Sequence, residues 1–297
     1  MPAVSLVAVP GRRKTILDLA CEIERRGFSG IYTPSINDAM SLCVSLAHVT
    51  ERITFGTSIQ PIYLRHPANL AESASYVQEV SGGRFVLGIG VSHGPVHDRL
   101  GIQVGRPLAD TRDFVAGMRA GASEKAPLPP VVLATLRTKM LQLAVEVGEG
   151  AVWANAARSH MAKSLSIVPS DRSDAFFVGN MIPTVIDDDR AAAAALNRRT
   201  LTGYVSLPNY RNYWKEAGYV EEMEAIEAAL AAGERDRLAD LMSDRWLADV
   251  TLFGSASEVR EGYAAWLDAG VSTPILAPSS TSGGQAKAIG ELFAAFE

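Results

Sequence analysis

Lysine is scarce in this chain of 297 residues: 28 basic residues face 33 acidic ones, only six of the 28 are lysine, and the net charge is −5. Without a basic excess there is no cationic face of the kind phosphate backbones require, so nucleic acid is not expected as a partner. Cysteine is scarcer still. Cys21 and Cys43 are the only two, and both fall in helix-like patterns, which excludes a disulfide framework and makes a reducing cytoplasm the expected location. No apolar run approaches the ~20 residues that span a bilayer. Met1–Leu6 carries no basic stretch ahead of a long apolar one, so neither a membrane span nor a secretory signal is expected. Two further absences narrow the chemistry. There is no Gly-rich loop ending in Gly-Lys-Ser/Thr, which argues against a P-loop NTPase, and no Gly-x-Ser-x-Gly elbow, which leaves a serine hydrolase without support.

What is present is a regular alternation. Short runs rich in Val, Ile, Phe and Gly occupy Val4–Val9, Gly30–Pro34, Ile53–Ser58, Phe85–Gly90, Val131–Ala134, Gly150–Trp153, Ala175–Val178 and Ser272–Ala277. They are mostly apolar rather than alternating, as parallel strands covered on both faces should be. Helical patterns fill the gaps at Arg13–Arg26, Ala39–Val49, Pro67–Ser81, Thr111–Ala120, Lys139–Val147 and Ala256–Ala269. Eight strands alternating with helices predict an α/β fold, a (β/α)8 TIM barrel, which can hold some ~250 residues around one core. A doubly wound sheet would carry a glycine-rich turn after the first strand, where this chain has Pro10-Gly11-Arg12-Arg13. Residues 179–250 are too long for one crossover and predict a helical insertion after strand seven, so that 1–297 is read as a single domain with that insertion. Asp187-Asp188-Asp189 before an Ala-rich run is a helix start rather than a metal site.

In a barrel the chemistry sits at the C-terminal ends of the strands. That directs attention to Thr33-Pro34-Ser35, Thr57-Ser58-Ile59, Val91-Ser92-His93, Thr135-Leu136-Arg137, Ala154-Asn155 and Gly179-Asn180. These are small and mostly uncharged, and no pair of carboxylates among them supports a glycosidase. Gly88-Ile89-Gly90-Val91-Ser92-His93 begins like a dinucleotide fingerprint, but His93 replaces its third glycine. The alternative is a strand entering a small-residue turn, where backbone N–H groups and Ser92 approach a phosphate or a flat ring. His93 directly follows that strand and is placed either to give a ligand a proton or hydrogen bond, or to serve as a bonded loop residue. His97 has the spacing of a metal pair with His93, but Pro95 between them argues against a regular helix. No metal site is expected, and His97 is read as a solvated loop residue. His66 before Pro67 is read as packing or capping a helix start, and both cysteines as small core residues.

Taken together, Ile53-Thr54-Phe55-Gly56-Thr57-Ser58-Ile59, Arg65-His66-Pro67 and Ser81-Gly82-Gly83-Arg84-Phe85-Val86-Leu87-Gly88-Ile89-Gly90 resemble the bacterial luciferase-like monooxygenase superfamily. Val91-Ser92-His93-Gly94-Pro95-Val96, Leu100-Gly101-Ile102, Arg106-Pro107, Val131–Trp153 and Phe177–Pro183 are similar to its actinobacterial coenzyme F420-dependent oxidoreductases. The resemblance covers most of residues 28–183. It implies a barrel with a deazaflavin or flavin bound at the strand ends, commonly as a homodimer. It places a bulge, often with a non-proline cis peptide, at Thr57, Ser58 and Ile59 against the ring. It assigns Gly90, Val91, Ser92 and His93 to the cofactor edge and phosphate side, and Ala134, Thr135 and Leu136 to a second cofactor segment. The acidic residue and histidine that many F420 enzymes carry after strand two are Ser35 and Ile36 here, while Asp38-Ala39 matches the closer subgroup. Arg137-Thr138 stands where that subgroup has Gly-Pro, and Arg137 could pair with a phosphate directly.

The expected function is therefore hydride transfer between coenzyme F420 and a C=C or C=N bond of a small organic substrate, with His93 as the catalytic residue. An FMN-dependent monooxygenase on the same scaffold is one alternative. A diverged barrel that binds a flavin-like ligand without turnover, motivated by Arg137-Thr138, is the other.

Overall fold

A computed structural model describes residues 1–123 and 125–297. Its strands are β1 (Ala3–Ser5), β2 (Gly30–Thr33), β3 (Thr54–Pro61), β4 (Phe85–Gly90), β5 (Val131–Ala134), β6 (Gly150–Ala154), β7 (Phe177–Ile186), β8 (Leu252–Gly254) and β9 (Thr273–Ser279). The architecture is a (β/α)8 barrel, built of parallel strands with helices between them. The chain divides into two compact units, Met1–Trp153 with Ser166–Gly179, and Ala154–Leu165 with Asn180–Glu297. No helix of the described residues is long and apolar enough to cross a membrane.

In the first unit the strands from β1 to β6 pair in parallel, each with the next in sequence. Continuous burial of β1, β2 and most of β4 explains their uninterrupted apolar runs. The N-terminal end of β4 is built by Ser81-Gly82-Gly83-Arg84. Gly82 and Gly83 have φ values of 65° and 87°, which end the preceding helix Pro67–Val80 in the left-handed region that glycine enters freely. Arg84 then spreads its five N–H groups over five acceptors. Nε donates to Ser81 O at 2.8 Å, Nη1 to Thr50 Oγ1 at 2.8 Å and Ile53 O at 3.1 Å, and Nη2 to Ala47 O at 3.1 Å and Thr50 O at 2.9 Å. Beside it, Glu24 accepts the amide N–H groups of Glu51, Arg52 and Ile53 at 2.7–3.0 Å. Burial alone would raise the Glu24 pKa, but those three donors and the charge of Arg52 outweigh it, and the carboxyl stays below its ordinary range. One cation and one anion thus satisfy the turn that feeds β3. The Gly-Gly-Arg-Phe motif is explained here by structure rather than by ligand.

In the second unit β7 pairs with β8 through Thr184↔Leu252, Val185↔Phe253 and Ile186↔Gly254. Strand seven is longer than the sequence pattern predicts, running to Ile186 instead of stopping at Val178. The stretch 179–250, expected to be an insertion of helices, therefore opens as strand, and its helices start at Arg190. Asn180, Pro183 and Thr184 interrupt the apolar run and hide this continuation, although Asn180 and Thr184 are themselves buried. Helices Arg190–Val205, Pro208–Glu216, Val220–Ala231 and Asp244–Val250 follow. Asp189 caps the first of them, accepting the Ala192 N–H, as the acidic triplet predicts. The aromatic residues of this region face inward. Tyr213, Trp214 and Trp246 are fully buried, and Trp214 meets Trp246 edge-on at 4.9 Å. They tie down the segment after β6: Trp214 Nε1 donates to Asn155 O, the Ala157 N–H donates to Tyr213 Oη, and Asp249 accepts from Ser159 N–H, Ser159 Oγ and Tyr219 Oη.

Arg84→Ala is expected to lower unfolding stability by about 3 kcal/mol, the scale for removing a charged donor from several buried acceptors. Arg84→Lys should recover only a minor part, because one ammonium cannot span that fork. Urea unfolding reads both values, and equal stability of wild type and R84A would show that Arg84 does not staple the turn.

Candidate functional site

The C-terminal ends of β3, β4 and β5 form one continuous rim within the first unit. Its geometry begins with how closely β3 and β4 approach. Thr57 Oγ1 donates to Gly88 O at 2.6 Å. A Cβ on Gly88 would fall 2.1 Å from Thr57 O, and one on Gly56 would fall 2.3 Å from Val86 O. Only glycine permits strands this close, which is why a glycine sits inside each of these buried strands. Past this contact the register slips. Thr57 is opposite Leu87, but Gln60 is already opposite Ile89, so β3 carries one extra residue as a bulge. The Ser58–Ile59 peptide inside the bulge is cis, at the position the resemblance implies. Thr57 is 2% exposed, Ser58 is buried, and Ile59 is half-buried.

The bulge turns Ile59 across β4. A Cβ placed on Gly90 would lie 3.2 Å from Ile59 side-chain atoms and 2.7 Å from Ala134 Cβ. The structure thus gathers Ile59, Gly90 and Ala134 into one low, apolar shelf. Beyond Gly90, Val91, Ser92 and His93 are partly exposed, and Ser92 has φ 64°, a left-handed backbone unusual for a residue with a side chain. Along β5, Ala134 and Leu136 are partly exposed and Arg137 is exposed. Thr135 departs from this pattern. It is 4% exposed, its N–H donates to Val152 O at 2.9 Å and its hydroxyl lies 3.5 Å from Arg137 O, so its side chain serves the turn.

His93 is half-buried and stands as the N-cap of helix Gly94–Leu100. Burial, and next the charge of neighbouring His97, push its pKa below the ordinary histidine range. It is therefore a neutral imidazole at pH 7, suited to donating a hydrogen bond rather than to carrying charge.

The helix itself corrects two expectations. Pro95 lies in its first turn, where the missing N–H costs nothing, so the proline begins a helix instead of preventing one. His97 is not a solvated loop residue. It is 7% exposed, and its Nε2 lies 2.6 Å from Val91 O. The cysteine reading holds for Cys43, which is buried, but Cys21 is exposed and donates through Sγ to Val49 O. His66 caps its helix, accepting the Ala68 N–H on Nδ1 at 3.3 Å. Among the other rim tripeptides, Thr33 is buried and donates to Gly56 O at 3.2 Å, so it supports β3 from beneath. Ser35 joins Asp38, Gln60 and Arg65 around a cavity of about 240 Å³. Asn155 and Asn180 belong to the second unit, where Asn180 Oδ1 accepts the Ala156 N–H at 3.3 Å. Sequence reasoning singled out Gly88 only as part of a fingerprint-like run and not for its contact with β3, and it missed Tyr63 and Asp110, which have no local signature.

A flat ring fits this rim by the chemistry of what lines it. The shelf of Ile59, Gly90 and Ala134 is apolar and low, Ser92 and His93 supply neutral polar groups at its edge, and Arg137 offers a cation at the end of β5. No carboxylate stands among these residues to repel an anionic tail.

Residues 4–273 match the family described as luciferase-like monooxygenase. A protein of Mycobacterium tuberculosis whose name places it among coenzyme F420-dependent oxidoreductases is 25% identical, over 89% of this chain and 90% of its own. The solved coenzyme F420-dependent tetrahydromethanopterin reductase of Methanopyrus kandleri shares the fold at TM-score 0.78 and 17% identity, over 98% of this chain and 96% of that one. An F420-dependent secondary alcohol dehydrogenase, solved with an F420–acetone adduct, aligns at TM-score 0.72 and 16% identity over all of both chains.

Gly88→Ala is expected to force β3 and β4 apart at the bulge and to cost about 3 kcal/mol, the upper range for an overpacked core. Gly94→Ala, at a position where an added Cβ meets open space, should cost far less. Thermal unfolding of the two variants side by side checks the contrast, and similar melting temperatures would contradict it.

Proposed function

The chain belongs to the luciferase-like monooxygenase family and is an enzyme of that family; from that premise we propose that it is an oxidoreductase that uses coenzyme F420 to reduce an electron-poor C=C or C=N bond of a small organic molecule. The observation that carries the reading is the uncharged, apolar shelf at the bulge of β3, flanked by Ser92, His93 and Arg137. The named F420 dependence of the mycobacterial relative and of the two solved enzymes supports the choice of cofactor. When bound, the deazaflavin supplies the hydride; the protein orients it and excludes water.

In this reading Thr57, Ser58 and Ile59 support one face of the ring, with Gly90 letting Ile59 and Ala134 pack together over β4. Val91 and Ser92 flank its edge, and Thr135 and Leu136 shape the β5 side. Arg137 pairs with the phosphate in place of a close backbone approach. His93, neutral and half-buried, donates an N–H hydrogen bond to the substrate atom that gains electron density, and its lowered pKa keeps it in that form at pH 7; a proton from solvent on that atom completes the reduction. The reading includes a homodimer, which sedimentation velocity tests by mass.

Fluorescence titration with F420 and with FMN tests the cofactor. Saturation by F420 at one per chain is expected, and tight FMN binding without F420 binding would favour the monooxygenase alternative instead. Ser92→Phe should weaken F420 binding at least tenfold; unchanged affinity would move the cofactor away from β4.

His93→Ala should slow single-turnover oxidation of reduced F420 by an acceptor that wild type accepts, by about 10²-fold. Its F420 dissociation constant should stay within about threefold, because a group that acts on the substrate affects chemistry and leaves cofactor binding alone. An unchanged rate would return His93 to a purely structural role.

A further inference from the structure

Ser92 is a serine in a backbone region that residues with side chains seldom enter, and such conformations persist only where neighbours over-determine them. A neighbour bonded across this turn is His97. A carbonyl oxygen only accepts, so the 2.6 Å contact between His97 Nε2 and Val91 O fixes the ring as a donor through Nε2. The bond spans the Ser92 turn, joining the peptide just before it to the helix just after it. That helix is closed on itself by Val96 N–H and His97 N–H, both on His93 O, and by Ile102 N–H on His97 O.

His97 is held in turn. Tyr63, in the short turn Ile62–Leu64 that follows β3, meets its ring edge-on, with centroids 5.6 Å apart and planes at 89°. Tyr63 Oη donates to Asp110 Oδ2 at 2.7 Å, and burial together with that carboxylate keeps the phenol protonated by raising its pKa. Asp110 lies in the first turn of helix Pro107–Ala120, and Gly105 passes so close that a Cβ there would fall 2.6 Å from its carboxylate. A single chain of contacts, Val91–His97–Tyr63–Asp110, therefore links the end of β4 to the turn after β3 and to the far end of the 92–106 segment.

We infer that His97 is a positioning residue for the cofactor rim: its Nε2–H bond to Val91 O holds the Ser92 turn in the shape that receives the cofactor, and Tyr63 and Asp110 hold His97. The inference rests on the reading that the β4 end receives F420. His97 is 7% exposed and so acts through the turn it bonds.

Three variants separate the possibilities: His97→Leu removes the donor, His97→Gln keeps an N–H donor on a side chain of similar reach, and Tyr63→Phe keeps the ring but releases Asp110. Each is titrated with F420 by fluorescence well below its melting temperature, and amide hydrogen exchange is followed across Val91–Gly94 without cofactor. H97L should bind F420 at least tenfold more weakly and exchange faster at the turn, H97Q should stay within threefold of wild type on both readouts, and Y63F should fall between. A merely structural histidine would lower the melting temperature of H97L and leave the affinity of the folded protein unchanged; that result overturns the inference, as does a folded H97Q no better than H97L. If H97L does not fold, Y63F with wild-type affinity and exchange overturns it. Failure of wild type to bind F420 counts against the functional reading, and the exchange comparison then decides the role of His97 alone, unchanged exchange in H97L overturning it.

Discussion

The approach of β4 to β3 is the constraint on which the candidate site rests. With Thr57 Oγ1 on Gly88 O at 2.6 Å, and no space for a Cβ at Gly56 or Gly88, the two backbones are as close as their chemistry allows. Two strands held this tightly cannot absorb an additional residue by drifting apart. The extra residue of β3 must rise out of the ladder as a bulge, and its direction is set by the strand beside it. Ile59 is thereby carried over Gly90 and Ala134, and the apolar shelf follows from a steric fact two residues earlier.

The two ends of these strands do different work with different residue types. At the N-terminal end, charged side chains are fully engaged by their acceptors and donors: Arg84 with five acceptors, Glu24 with three amides. At the C-terminal end the side chains are small and uncharged, and polar groups such as Ser92 and His93 keep part of their surface open. A barrel concentrates stability at one face and chemistry at the other, and here the division is visible within a single ten-residue motif that begins with Ser81 and ends with Gly90.

Most of the fold is legible in the sequence, because buried parallel strands leave unbroken apolar runs; β4 and β5 match their expected bounds to the residue. The signal fails where burial and hydrophobicity part company. Asn180 and Thr184 are buried polar residues, so β7 reads as shorter than it is, and the three residues of β8 are too few to register as a pattern. Pro95 misleads in another way: a proline reads as a break, yet in the first turn it is a helix start, and the burial of His97 is hidden with it. For the candidate site, the small residues of Thr57-Ser58-Ile59, Gly90-Val91-Ser92 and Ala134-Thr135-Leu136 are legible as strand-end positions. The inward turn of Thr135, and the Tyr63–Asp110 bond across 47 residues, depend on tertiary contacts that no local pattern encodes.

Asp249 in the second unit has a consequence for how such a chain can diversify. It receives two donors from Ser159 and one from Tyr219, while Tyr213 and Trp214 engage Ala157 and Asn155. The loop after β6 and the helices that follow β7 are therefore one interlocked module. Lengthening, shortening or exchanging those helices without rewriting residues 155–159 would strand several buried partners at once, so new variants of this region must be inherited as a matched pair of segments rather than as a freely exchangeable cassette.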